Sequence, residues 1–354
     1  MTILFLLGII SWNGTAEVVE DLYSASVQIA DQSESLRAKG VQQGLSDVFV
    51  KLTGSRAILS DPGFSAIKAR ANEYLTEYGY SERPPENSSD TDLAPQVTTM
   101  LDVSFASAPI EKALRDLFLP IWPADRPAMV AWLIAPGEDG YEFIDPTHEL
   151  DISSVVDGAL NRRGVPFKTP LYDLQDHMAL TPKQAWQVNE KRLTESSRRY
   201  GVDHWLILRV ERQRNGNFKG AWFVGGNQQQ LNGVVTAQSM KQFVVDSIDQ
   251  AVDQFSTSLT YRAGQLGETV QLLIVGVSSL TDFTAVSDAL ANFEVVVSTR
   301  VKQIDKDQIS LEILTESDAT TLVEMLEKSR HFYRVVSMGG STQASLIEFQ
   351  WRGR

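Results

Sequence analysis

Between residues 270 and 351, strand-like alternation and helix signals take turns in a strict order, and that order most narrows what the chain can fold into. Residues 270–275 (VQLLIV) read as a strand, and Ser279-Leu280-Thr281-Asp282 as a capping box opening a helix. Phe283, Val286 and Leu290 give that helix one apolar face. Residues 295–301 and 309–314 read as strands joined at Asp305-Lys306-Asp307, and residues 322–326 lie in a second helix. Val335 and Ile347 mark two closing strands. The order β-α-β-β-α-β, plus one strand, predicts a ferredoxin-like module.

Upstream the same two periodicities alternate, so the fold class is α+β or α/β, multi-domain, with mixed sheets and packed helices. Residues 22–29 alternate as a strand. Leu36, Val41, Leu45, Val48, Phe49 and Leu52 recur at helical spacing up to Gly54, a C′ glycine. Asp61-Pro62 opens a second helix expected to run to about Tyr78. Residues 84–95 (PPENSSDTDLAP) read as an exposed loop, 97–105 as a strand, 108–119 as a helix and 128–135 as an apolar strand. Thr181-Pro182-Lys183-Gln184 starts a helix expected to end near Tyr200-Gly201. Residues 204–210 (HWLILRV) form a strand apolar on both faces, two more strands follow over 218–224 and 231–240, and a helix covers 244–259. At about 150 residues per domain, the 354-residue chain divides into an N-terminal α/β domain (17–127), a central α/β domain (128–266) and the C-terminal module (267–354).

Residues 3–10 (ILFLLGII) followed by Gly14-Thr15-Ala16 have the apolar core and small-residue cleavage site of an export signal spanning residues 1–16. No Lys or Arg precedes the run. It is far shorter than the about 20 residues of a membrane span, and no other stretch approaches one, so the mature chain is expected to be periplasmic with no transmembrane span. Cysteine is absent, which removes disulfides, thiolate metal sites and cysteine nucleophiles. A net charge of −13 argues against nucleic acid as a partner.

Signatures of catalysis are sparse. No Gly-rich phosphate loop or nucleophile elbow occurs, and His148, His177, His204 and His331 lack metal-pair spacing, so neither a cofactor, a metal nor a catalytic residue is nominated. Lys191-Arg192 and Arg198-Arg199 share a helix face, and Trp205, Trp222 and Phe223 lie among further arginines. Arg198 and Arg199 are candidate partner-binding residues, the alternative being a solvated helix face. For the aromatics, core packing outweighs base stacking. Phe349 and Trp351 end the chain on an aromatic strand that either completes the core or receives a partner, and they complete the candidate set.

Residues 45–54 (LSDVFVKLTG), then Tyr78-Gly79-Tyr80, then Trp122 with Arg126-Pro127 and Trp132, resemble the exported proteobacterial domain-of-unknown-function family number two thousand and sixty-six. Residues 275–283 (VGVSSLTDF) are similar to that family's C-terminal part. The resemblance implies a signal-bearing secreted protein and carries over no functional residue. The helix ending in Tyr200-Gly201-Val202-Asp203 and the strands after it resemble envelope assembly modules such as curli-channel or penicillin-binding-protein activator lipoproteins, without their lipid-carrying cysteine. The expected function is a non-catalytic binding or envelope-assembly module with an envelope protein partner. The alternative is an envelope hydrolase with dispersed carboxylate catalysis.

Overall fold

The structure is a computed structural model that describes residues 16–19, 21–83, 98–138, 140–144, 152–226, 229–263, 268–329, 331–335 and 347–352. The expected export signal and the expected loop over 84–95 fall outside these residues, Ala16 apart. The chain forms two compact units, Met1–Ser107 with Ala124–Leu259 and Ala108–Pro123 with Thr260–Arg354. No described helix is long and apolar enough to cross a membrane.

The first unit begins with β1 (Ala16–Val18) and β2 (Ser24–Gln28), followed by the twenty-residue helix α1 (Glu34–Thr53). As expected, α1 stops at Gly54, whose φ of 71° is the left-handed conformation a side chain resists. Helix α2 (Pro62–Ala69) is capped by the Asp61 side chain but ends well before Tyr78. Residues expected to prolong it form the strand β3 (Leu75–Arg83), because β4 (Thr98–Phe105) takes β3 on one edge and β2 on the other. Helix α1 lies close against this sheet. A Cβ on Gly40 would come within 2.6 Å of Leu101, and one on Gly44 within 2.5 Å of Val103.

Helix α3 (Ser107–Asp116) and β5 (Pro120–Ile121) then leave for the second unit. The chain returns through β6 (Asp125–Pro127), which pairs with β1, to β7 (Met129–Gly137). There follow β8 (Gly140–Phe143), α4 (Ile152–Arg163), β9 (Phe167–Lys168), α5 (Leu174–Ala179), α6 (Pro182–Trp186) and α7 (Glu190–Arg199). The unit closes with β10 (His204–Arg212), β11 (Phe218–Gly226), β12 (Gln229–Ala237) and α8 (Met240–Phe255). The capping box of Thr181 and Gln184 is present. The single helix expected behind it is broken instead at Val188, with a φ of 52°, where Asn189 caps a new helix.

The sheet runs β12-β11-β10-β7, with β8 and β9 both on the far edge of β7. Strands β10 and β9 are parallel to β7, while β11 runs antiparallel to both of its neighbours, β10 and β12. One face carries Val130, Trp132, Ile134, Trp205 and Ile207, packed on Leu180, Ala185 and Leu193 of the α5–α7 segment. Trp222, on the other face, donates its indole N–H to Gln250 of α8 at 3.4 Å.

Two fully buried arginines tie the layers. Arg126 donates to Lys51 O (3.0 Å) and Gly164 O (2.8 Å), neutralising the carbonyl ends of α1 and α4 together. Arg163 donates to Gly54 O (2.7 Å) and pairs with Asp253 (2.6 Å) and Asp249 (3.1 Å) of α8.

In the second unit, β5 pairs with β13 (Tyr261–Arg262), and Arg115 of α3 pairs with Glu316 at 3.1 Å. Strand β14 (Thr269–Val275) leads through α9 (Leu280–Ala291), β15 (Val296–Asp305), β16 (Gln308–Thr315) and α10 (Ala319–Lys328) to β17 (Phe332–Arg334) and β18 (Ile347–Trp351). The sheet order is β15-β16-β14-β18-β17. The place beside the first strand, which a plain ferredoxin-like order gives to the strand after the second helix, is held by β18 lying parallel to β14. Strand β17, only three residues long, pairs outside β18. The longer β18 brings Phe349 and Trp351 to the core, which is the apolar area the vacant edge of β14 needs. The edge strand β15 is exposed along both faces beyond Val296. It carries two register shifts, the second spanning Lys302, whose ammonium pairs with Glu312 (2.7 Å). Bulges and cations are the devices that keep an edge from pairing further.

Candidate interaction surface

After β9 the chain turns through Tyr172, at a φ of 52°, into the short helix α5. Asp173 caps that helix by accepting from Asp176 N at 3.0 Å. Asp176 itself is turned inward and is 1% exposed. Its carboxylate accepts from Tyr172 N (2.8 Å), from the Tyr200 hydroxyl (2.6 Å) and from the Arg199 guanidinium. The same guanidinium grips Asp173 with both terminal nitrogens, at 2.7 and 2.6 Å. Leu171 N donates to the Tyr200 oxygen at 3.0 Å. Burial, then the bond to Asp176, pushes the Tyr200 hydroxyl up to about 12, so it stays a donor at neutral pH. Hydrogen bonding from Arg199 holds the Asp173 carboxyl well below the usual carboxylate range. The rings of Tyr172 and Tyr200 stand edge-on to the buried Trp132, at 5.7 and 6.4 Å, and root the knot in the core.

The outer side of this knot carries three large apolar side chains among the exposed Asp173, Gln175 and His177. Leu171 is 68% exposed, and Leu174 and Met178 are each 75% exposed. Leu174 and Met178 are four residues apart, one above the other on α5. Three large apolar side chains are thus left in water beside a buried polar network.

The candidate residues separate between the units. Arg199 is built into the knot, whereas Arg198 is exposed and its side chain forms neither an ion pair nor a hydrogen bond among the described residues. Phe349 and Trp351 lie on β18, between β14 and β17, 0% and 5% exposed. Both rings pack on Phe332, at 6.2 and 5.2 Å. Trp205 and Trp222 are fully buried. Phe223 lies 4.4 Å from the Arg209 guanidinium, which also donates to Trp186 O at 2.6 Å. Among the described residues no three or more His, Asp or Glu side chains gather to hold a metal ion.

Sequence reading missed Leu171, Leu174 and Met178, because a six-residue helix is too short for periodicity to register. The local signal was Asp173 three residues before Asp176, a cap and an N3 acid, with apolar residues four apart between and beyond them.

Residues 16–123 match a family model described as "Domain of unknown function (DUF8605)". That supports an uncharacterised family, under a different number from the family the residues resemble. No curated protein matches the chain. A solved structure titled "Crystal structure of uncharacterized protein" matches over 37% of this chain and 87% of its own, at 11% identity and a TM-score of 0.16.

Proposed function

We propose that this protein is a non-catalytic binding or envelope-assembly module that works in the periplasm. The observation that carries the reading is the α5 platform, three exposed apolar side chains held in place by the Asp176 knot. Fully burying three such side chains against a partner is worth about 5–9 kcal/mol, and a surface already rigid loses little ordering entropy on binding. The apolar run over residues 3–10 with Gly14-Thr15-Ala16 behind it supports export. A carboxylate hydrolase needs two carboxyls in opposed environments within one cleft. Here Asp173 and Asp176 share Arg199, and Asp249 and Asp253 share Arg56 and Arg163, so each pair is held by the same cations.

The test uses the tagged full chain expressed from its own start. Fractionation should recover it in the periplasm, and affinity capture from the envelope fraction should retain a partner in roughly constant ratio to the bait. Recovery in the cytoplasm would refute the location, and recovery of bait alone at all salt concentrations would refute the binding role.

A further inference from the structure

We infer that Arg209 is a receptor for a carboxylate, which its guanidinium grips with the Nε and Nη2 donors. None of the residues involved belongs to the α5 platform, so this goes beyond the reading above. Arg209 lies on the face of β10 that also carries Trp205 and Ile207, and pairing with β11 sets Ala221 opposite it and Phe223 opposite Ile207. Its guanidinium carbon stands over two rings, 4.4 Å from the centre of Phe223 and 5.3 Å from that of Trp186. Trp186 is itself held, stacked on Tyr141 at 4.3 Å. With the bond from Nη1 to Trp186 O at 2.6 Å, these contacts fix the guanidinium in place.

The donors left over match one ligand group. Nε and Nη2 are neither buried nor hydrogen-bonded among the described residues. They carry the two parallel N–H bonds that meet both oxygens of a carboxylate. Arg56, Arg115 and Arg199 are half-buried too, and each pairs with a carboxylate, whereas Arg209 pairs with none among the described residues. Burial weighs against its charge, opposed by the through-space pull of Glu211 and then of Tyr141. A ligand carboxylate supplies the missing counter-charge at a fork already fixed, so little ordering entropy is lost. A phosphate suits the place less well. Glu211, two residues along the same face, repels its second negative charge.

The test titrates the 15N-labelled full chain with sodium benzoate at constant ionic strength and follows the arginine Nε–Hε signals. Cross-peaks to the ring protons of Phe223 and Trp186 identify the signal of Arg209. We expect that signal to shift and saturate in the millimolar range, and sodium phosphate to bind more weakly. Arg209→Lys keeps the charge and loses the fork, so calorimetry should find benzoate bound about tenfold more weakly. Glu211→Gln removes an acid that competes for the fork and should tighten binding about threefold. This exposed position keeps the test open if Arg209→Lys lowers the unfolding midpoint. N-acetyl-alanyl-phenylalanine and its C-terminal amide separate the sources. Saturation by the free acid but not the amide supports a peptide terminus, and saturation by benzoate alone supports a small acid. Four results overturn the inference. They are no saturable shift from either acid into the tens of millimolar, phosphate binding as tightly as benzoate, the amide binding as tightly as the acid, and equal affinity in a folded Arg209→Lys. A fifth is Glu211→Gln moving the Arg209 signal of the free protein as far as saturating benzoate does, since the fork is then already closed by Glu211.

Discussion

Asp176→Asn is the substitution that most directly tests whether the α5 platform is preorganised. The wild-type carboxylate receives three donors, from Tyr172 N, the Tyr200 hydroxyl and Arg199. An asparagine keeps one acceptor oxygen and turns an amide N–H toward groups that are themselves donors. Tyr172 N and the Tyr200 hydroxyl share Oδ2, so the amide oxygen keeps those two bonds without their charge, while the bond from Arg199 to Oδ1 is inverted. That costs about 1.5–3 kcal/mol for the charged bond and about 1 kcal/mol more for the two that weaken. Arg199 retains its two-pronged contact with Asp173 and is partly solvated, so we discount the total to about 3 kcal/mol. The loss should be local, because the bonds hold residues 171–176 to the end of α7 rather than one sheet strand to another. An opening equilibrium shifted by about 3 kcal/mol speeds amide exchange about a hundredfold. Hydrogen exchange read by NMR or mass spectrometry should therefore show the amides of Leu171, Tyr172 and Asp176 exchanging about a hundred times faster, with those of β10 and β11 unchanged. Acceleration below about threefold, or equal acceleration across β10, would refute the claim that Asp176 fixes the platform.

Two other outcomes follow from buried side chains. Burial, then the neighbouring Arg126, lowers Lys51 to about 8. Between that value and the ordinary 10.5 the unfolded chain binds more protons than the folded one, so stability rises with pH through this window. Measured by urea midpoints from pH 7 to 10.5, the wild type should gain about 3 kcal/mol on Lys51→Met, and parallel profiles would contradict the buried amine. Trp351→Ala should destabilise the second unit by about 3–5 kcal/mol in denaturant unfolding, and a loss under about 1 kcal/mol would contradict a core position for that ring.

Local order was legible in the sequence wherever a few neighbouring residues satisfy one another. The capping boxes of Thr181 with Gln184 and Ser279 with Asp282, and the left-handed stop at Gly54, close hydrogen bonds within four residues, so composition and spacing alone determine them. The apolar strands β7 and β10 were equally readable, since strands covered on both faces must be apolar on both alternations, and β14 was readable as a strand with one buried face. Tertiary structure decided the rest. Residues 75–83 are a strand because β4 offers them an edge, and the helix expected as far as about Tyr78 loses to that pairing. Strand β18 holds the place beside β14 because Phe349 and Trp351 bury there, which no spacing announces. The α5 platform depends on Arg199 and Tyr200 reaching back across more than twenty positions to Asp173 and Asp176. Contacts of that range take their energy from burial and charge pairing that exist only once the chain has closed, so no window of the sequence contains them.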